Sequence, residues 1–467
     1  MKFVHVVAGF SGPLLALSGQ AAARNPANLE ITEVQKVTDE KEGTFRPFVE
    51  FALAGQSMRG LLDTGSSNWN VPRTGSKFCK DAGAQCDPTT TGFKAGSLDL
   101  AKAGKQVRDL KMTFNDSYTG GASFIGRFME APLQVSKGGK AVPVQIGLVE
   151  DGAVPEGGVS FPVLGVGPVD GEFVEKPYDN VPARFKQAGK TKVNAFGLHI
   201  GDFRSPHSGS LVWGGYDAAK IEGQLKAAPM MQTDDGAFPF YTVELSSIRL
   251  SPVPGSHTKA APPAQGHHAQ QKNEKRSNKG KQAPSKQIKV ASKTFKAKPG
   301  NAAAYSHTHN KLSAKAIFRR EQAGNLLSND VPPVVWLDTG VPAIMVPTGT
   351  YNKLRELLGA KSSKDADFLV DCKRIHGVNL LVGMNKEAIQ IRIPLDSMLS
   401  PRKANEPCNL QFGEVTAQSG GTAVLGAPAL QHMYVVFDND SKFLSIAQAK
   451  TNPTGQDIRA YVPVKHA

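Results

Sequence analysis

Leu62-Asp63-Thr64-Gly65, in the first half of the chain, returns as Leu337-Asp338-Thr339-Gly340 in the second. The frame around the two copies repeats as well. Val71-Pro72 follows the first copy at the offset at which Val346-Pro347 follows the second, and an apolar pair before glycine comes later in each half, as Val163-Leu164-Gly165 and Val424-Leu425-Gly426. A single Asp-Thr-Gly is a common turn composition. Two copies in the same apolar frame, one per half, are a specific signal. An apolar run that ends in this way sets a carboxylate at the end of a buried strand, and the glycine lets the backbone turn sharply and approach closely. Parts in the same order in both halves predict two similar lobes related by a pseudo-twofold axis.

Two aspartates brought together this way cannot both ionise easily, so they share a proton. The ionised one can take a proton from water while the protonated one donates to a carbonyl oxygen, which suits hydrolysis of a peptide bond without metal or covalent intermediate. Asp63 and Asp338 are the expected catalytic pair, supported by Thr64, Gly65, Ser66, Thr339 and Gly340.

The rest of the chain fits many short strands. It has 467 residues, with 47 Gly and 31 Pro to punctuate it. Strand-like runs lie at 45–62, with a turn at Ala54-Gly55-Gln56, and at 110–114, 124–128, 133–135 and 142–149. More follow at 195–200, 210–213 and 240–250, and residues 181–188 read as a short helix. The fold class expected is all-β. Lys2, an apolar run over residues 3–17 and Ala21-Ala22-Ala23 read as a cleaved secretory leader over 1–23. No other run is long and apolar enough to span a bilayer, and residues 461–467 lack the apolar tail of a lipid-anchor signal, so secretion without a membrane anchor is expected. Four cysteines in a secreted chain allow three pairings, of which local spacing favours Cys79–Cys86 and Cys372–Cys408; none has the neighbours of a zinc site.

The formal charge of +14 is not spread over the chain. Residues 251–320 hold twelve Lys and three Arg against the single acid Glu274, the whole excess, and the remainder is neutral. This stretch is rich in Lys, Ala, Pro, Gln, Ser and His and poor in aromatics, so it reads as a disordered insert, with dibasic pairs at Lys275-Arg276 and Arg319-Arg320. A charged tract of this kind can bind acidic glycans or nucleic acid. Its lack of aromatics for base stacking argues against nucleic acid. The organisation expected is a leader over 1–23, a first lobe over 24–193 and a second over 194–467, interrupted by the insert at 251–320.

These motifs resemble the pepsin family of aspartic proteases, and within it the fungal secreted, yapsin-like branch. Asp63-Thr64-Gly65-Ser66-Ser67-Asn68 is nearly the family's first site. Gly209 to Asp217 is similar to its Gly-Gly-x-Asp strand and turn, and Leu425-Gly426 through Tyr434-Val435-Val436-Phe437-Asp438 to Ile446-Ala447 is similar to its C-terminal signature. The likeness covers roughly residues 45–450 apart from the insert. It implies a bilobal fold with a cleft, no cofactor or metal, peptide or protein substrates and a monomer, and both cysteine pairs fall where the family has disulfides. It also implies a flap, a hairpin over the cleft tipped by a tyrosine. Tyr118 in Ser117-Tyr118-Thr119-Gly120-Gly121 is the candidate, with Gly120 at the tip and Phe114 as the second choice.

The chain departs from the family's pattern at four places. Val341 stands where the family has a hydroxyl beside the second aspartate, a role Ser66 keeps on the first side. Asn70 stands where a tryptophan touches the flap tyrosine, and Ala427 replaces an aspartate after Leu425-Gly426. Only a short stretch near residues 24–31 separates the leader from the mature fold, so a conventional inhibitory prosegment is not expected. These departures set a second reading, a weak or inactive homologue that binds peptides, beside the first.

Overall fold

The computed structural model describes residues 29–39, 44–80, 86, 95–118, 121–154, 161–172, 174, 177–204, 209–251, 325–328, 333–363, 366–399, 407–415 and 421–465. The expected leader, Gly120 and nearly all of the basic stretch lie outside these residues.

Each lobe is built around the same three-strand arrangement. In the first, strand Gln56–Asp63 runs parallel to Val163–Gly165, with Leu62 opposite Leu164 and Asp63 opposite Gly165. Strand Trp69–Pro72 lies antiparallel on the other side of Val163–Gly165 and parallel to the long strand Val142–Ala153. In the second lobe, Val334–Leu337 runs parallel to Ala423–Leu425 with Leu337 opposite Leu425. Ile344–Pro347 is antiparallel to that strand and parallel to Phe412–Val415. Parallel strands are buried on both faces and read as continuous apolar runs, which is the pattern before both aspartates. Leu62 and Leu337 are each at most 1% exposed.

A sheet shared by the two halves joins the lobes. Ile31–Asp39, Gly209–Trp213, Ala195–His199, Met433–Asp438, Phe443–Ala449 and Ile221–Pro229 pair in that order, all antiparallel. Its core holds Trp213, whose ring meets Phe185 edge-on at 4.8 Å and whose indole N–H donates to Thr32 Oγ1 at 2.9 Å. The Tyr241 hydroxyl donates across to the Val166 carbonyl at 2.8 Å.

Local expectations fare well, with one correction. The helix is Val181–Gln187, capped by the Asn180 side chain and started by Pro182 in its first turn, where proline needs no N–H partner. The runs at 124–128 and 133–135 belong to one strand, Ser123–Gln134. Pro132 does not break it, because it stands opposite Pro143 and neither residue has an N–H to donate across the pair. Cys79 is bonded to Cys86 and Cys372 to Cys408, with Cα atoms 5.3 and 5.1 Å apart.

Candidate active site

The two Asp-Thr-Gly turns meet at the bottom of the space between the lobes and brace one another. Thr64 N–H donates to Thr339 Oγ1 and Thr339 N–H donates to Thr64 Oγ1, each at 3.0 Å. The Thr64 hydroxyl donates to the Leu337 carbonyl at 2.8 Å, and the Thr339 hydroxyl donates to the Leu62 carbonyl at 2.5 Å. Both threonines are fully buried. Four hydrogen bonds thus pin the ends of the two aspartate-bearing strands together, in a place where an unpaired group would be costly.

The carboxyls face each other across this grip. Gly65 N–H donates to Asp63 Oδ1 and Gly340 N–H to Asp338 Oδ1, both at 2.8 Å. A Cβ on Gly65 would lie 2.2 Å from Asp338 Oδ2, and one on Gly340 would lie 2.7 Å from Asp63 Oδ1. Each glycine leaves the room that the opposite carboxyl occupies. Asp63 and Asp338 are both 6% exposed, and each lies against the glycine of the other's turn. Burial, and then the negative charge of Asp63, hold Asp338 well above the ordinary carboxylate range. Its own surroundings do less to favour the ion. The Ser66 hydroxyl donates to Asp63 Oδ2 at 2.6 Å, whereas Val341, three residues after Asp338, has no hydroxyl to offer. The asymmetry favours the proton on Asp338.

Tyr118 lies on a hairpin formed by Arg108–Ser117 and Ser123–Gln134. Its N–H donates to the Ala122 carbonyl at 2.8 Å and its carbonyl accepts from Gly121 N–H at 2.9 Å. Phe114 sits lower on the same strand, 6% exposed, its ring 5.2 Å from that of Phe128. It belongs to the aromatic base of the hairpin and Tyr118 to its end. The Tyr118 hydroxyl accepts from Asn70 Nδ2 at 2.7 Å. Asn70 therefore keeps hold of the tyrosine although it has replaced an aromatic residue.

Asp116, Glu172 and Tyr178 were not singled out from the sequence; they meet Asn68 and Asn70, which were. Asn70 Nδ2 and Asn68 Nδ2 both donate to Asp116 Oδ2, at 2.8 and 3.3 Å. Asn68 Oδ1 accepts from the Tyr178 hydroxyl at 2.6 Å, and Tyr178 N–H donates to Glu172 Oε2 at 2.7 Å. Glu172 is 1% exposed, and burial pushes it up to about 8. A period of two was the available signal for Asp116: Phe114, Asp116 and Tyr118 share one face of their strand. Among the described residues no cluster of His, Cys, Asp and Glu is arranged to hold a metal, and no helix is long and apolar enough to cross a membrane.

Comparison with known proteins places these features in a family. The family model "Eukaryotic aspartyl protease" matches residues 50–258 and 307–449. "Probable aspartic-type endopeptidase OPSB" of Arthroderma otae is 28% identical over 203 residues, 42% of this chain; the matched stretch spans only 40% of that relative. "Probable aspartic-type endopeptidase opsB" of Aspergillus fumigatus is 23% identical over 437 residues, covering 91% of this chain and 72% of the relative. The crystal structure of aspartic proteinase from Irpex lacteus covers 90% of this chain and 98% of its own, with a TM-score of 0.59 at 15% identity, a likeness of fold.

Proposed function

We propose, for a chain that belongs to the eukaryotic aspartyl protease family, that it is an endopeptidase that hydrolyses peptide bonds by activating water between Asp63 and Asp338. The observation that carries this reading is the juxtaposition of two buried carboxyls, each lodged against the glycine of the opposite Asp-Thr-Gly turn. Asp63 takes a proton from water as the water attacks the scissile carbonyl. Asp338 gives its proton to the carbonyl oxygen, and a proton then reaches the leaving nitrogen. Tyr118 and the hairpin carrying it would close over an extended peptide. The buried aromatic base of Phe114, Phe124 and Phe128 supports the hairpin from within. The two disulfides and the leader-like residues 1–23 support secretion of the enzyme.

Val341 favours a second reading, a peptide-binding homologue with little activity, because the second aspartate lacks the hydroxyl support of the first. Cleavage of an unfolded protein across acid to neutral pH separates the two. Asp63→Asn and Asp338→Asn should each abolish it while the thermal melt stays cooperative. Appreciable cleavage by either variant removes the proposal.

A further inference from the structure

The hydrogen bonds under the flap have a direction, and Asp116 sets it. Asn70 is fully buried, and its Nδ2 has two hydrogens. One goes to Asp116 Oδ2 at 2.8 Å and the other to the Tyr118 hydroxyl at 2.7 Å. The single hydrogen on the Ser66 hydroxyl goes to Asp63 Oδ2. The Tyr118 hydroxyl accepts in its bond with Asn70, so its own hydrogen is not used there. Asn70 therefore bridges two groups, donating to the Asp116 carboxylate and to the Tyr118 hydroxyl.

An amide alone does not fix this order. Turned over, Asn70 would present Oδ1 to both Tyr118 and Asp116, and the tyrosine hydrogen would point to Asn70. An acceptor beside Asn70 forbids the turned state, and Asp116 is that acceptor. The second amide is set the same way. Asn68 offers Nδ2 to Asp116 and Oδ1 to the Tyr178 hydroxyl. Among the described residues no cation pairs with Asp116, so it is not there as half of a salt bridge. Burial raises it and the two amides draw it back. The titratable groups facing it are Tyr118, Tyr178, Glu172 and, beyond Ser66, Asp63.

We propose that Asp116 is a positioning residue which, through Asn70, holds the flap tyrosine Tyr118 in place as an acceptor, with its hydroxyl hydrogen directed away from Asn70. The tryptophan-to-Asn70 departure then has a partner elsewhere in the chain: the contact to the flap is kept by a polar pair, Asn70 and Asp116, instead of an aromatic ring. This inference rests on the endopeptidase reading for its kinetic form, but the flap can also be read by binding.

The test uses the full chain, a peptide substrate and a statine-containing peptide inhibitor, whose Kd is measured by calorimetry and which also counts active sites. Asp116→Leu leaves an Asn70 hydrogen without an acceptor and should raise KM and the inhibitor Kd by about tenfold, with kcat per active site within roughly twofold. Asp116→Asn keeps an acceptor oxygen and should stay within about twofold of the native enzyme in both. In a Tyr118→Phe background, Asp116→Leu should add no further loss, because its effect runs through the tyrosine hydroxyl. An unchanged KM and Kd in Asp116→Leu, an equal loss in Asp116→Asn, or a full further loss in the Tyr118→Phe background each overturns the proposal. If Asp116→Leu does not fold, Asn70→Ala cuts the same link from the other side and must give the same rise in Kd. A native chain that cleaves nothing defeats the endopeptidase reading, and the inhibitor Kd series then still decides the role of Asp116.

Discussion

Thr64 and Thr339 are each other's partners twice over: each gives its backbone N–H to the other's hydroxyl at 3.0 Å. The carboxyls ride on this clasp, so their spacing depends on groups that touch no substrate. Thr64→Val keeps the shape but removes the donor to the Leu337 carbonyl and the acceptor for Thr339 N–H. Leaving those two buried groups unpaired should cost about 2–5 kcal/mol. Thr339→Val should cost a similar amount. Urea denaturation measures the stability, and kcat should fall in parallel. A valine variant as stable as the native chain would show that the clasp does not hold the lobes together.

The missing hydroxyl at position 341 should be visible in the pH profile. A threonine there, in the place that Ser66 has beside Asp63, would donate to the Asp338 carboxylate and favour the ion. The pair works when singly protonated, between two macroscopic pKa values that belong to both groups. Lowering them moves the active window toward acid. Val341→Thr should shift the pH optimum downward by about one unit, since a hydrogen bond to a charge is worth roughly that much. A profile that stays in place, or moves upward, refutes the account.

Glu172 should tie stability to pH. Its folded-state value, pushed up to about 8 by burial, lies above that of the unfolded chain. The folded state therefore binds the proton more tightly, and the group's stabilisation is full in acid and lost as pH rises from about 4.5 through 8. Each unit of difference is worth about 1.4 kcal/mol, so several kcal/mol are at stake in this window. Glu172→Gln should flatten the fall in melting temperature between pH 5 and pH 8 relative to the native chain. Parallel curves for the two proteins would mean that Glu172 titrates normally.

Gly65 gives a steric test of the same site. An added methyl group would stand 2.2 Å from Asp338 Oδ2, whereas at Gly75 the corresponding space is open, with only a positive φ to strain it. Gly65→Ala should reduce kcat by about a hundredfold or more, as expected for catalytic groups displaced by an ångström. Gly75→Ala should lose some stability and keep its kcat.

The repeated Asp-Thr-Gly was readable because an apolar run ending in a carboxylate has few structural explanations, and its repetition leaves fewer. Leu62, Leu164, Leu337 and Leu425 announce their buried strands by composition alone. The cysteine pairs were readable from their spacing. Other parts were not. Asp116, Glu172 and Tyr178 meet Asn68 and Asn70 from distant parts of the chain, and none of the three carries a pattern that says it will be buried with the others. Only the alternation Phe114, Asp116, Tyr118 hinted at one of them. The shared sheet was equally hidden, because nothing local in Ala195–His199 indicates that its neighbour will be Met433–Asp438. The runs at 124–128 and 133–135 read as separate for a related reason: whether Pro132 between them ends a strand depends on the residue across from it.

The shared sheet has a consequence for how the molecule comes into being. The strand Met433–Asp438, near the end of the chain, pairs with Ala195–His199 from its middle, and the last described strand, Ile458–Ala460, pairs with Gly215–Asp217. Contacts between such distant stretches make folding slow. On the ribosome, a nascent chain that already displays both aspartates still lacks the strands that complete the wall between the lobes. Translation must pass residue 438 before that wall can close. The order of strands thus acts as a clock that withholds the completed wall between the lobes until the second half of the chain has been made.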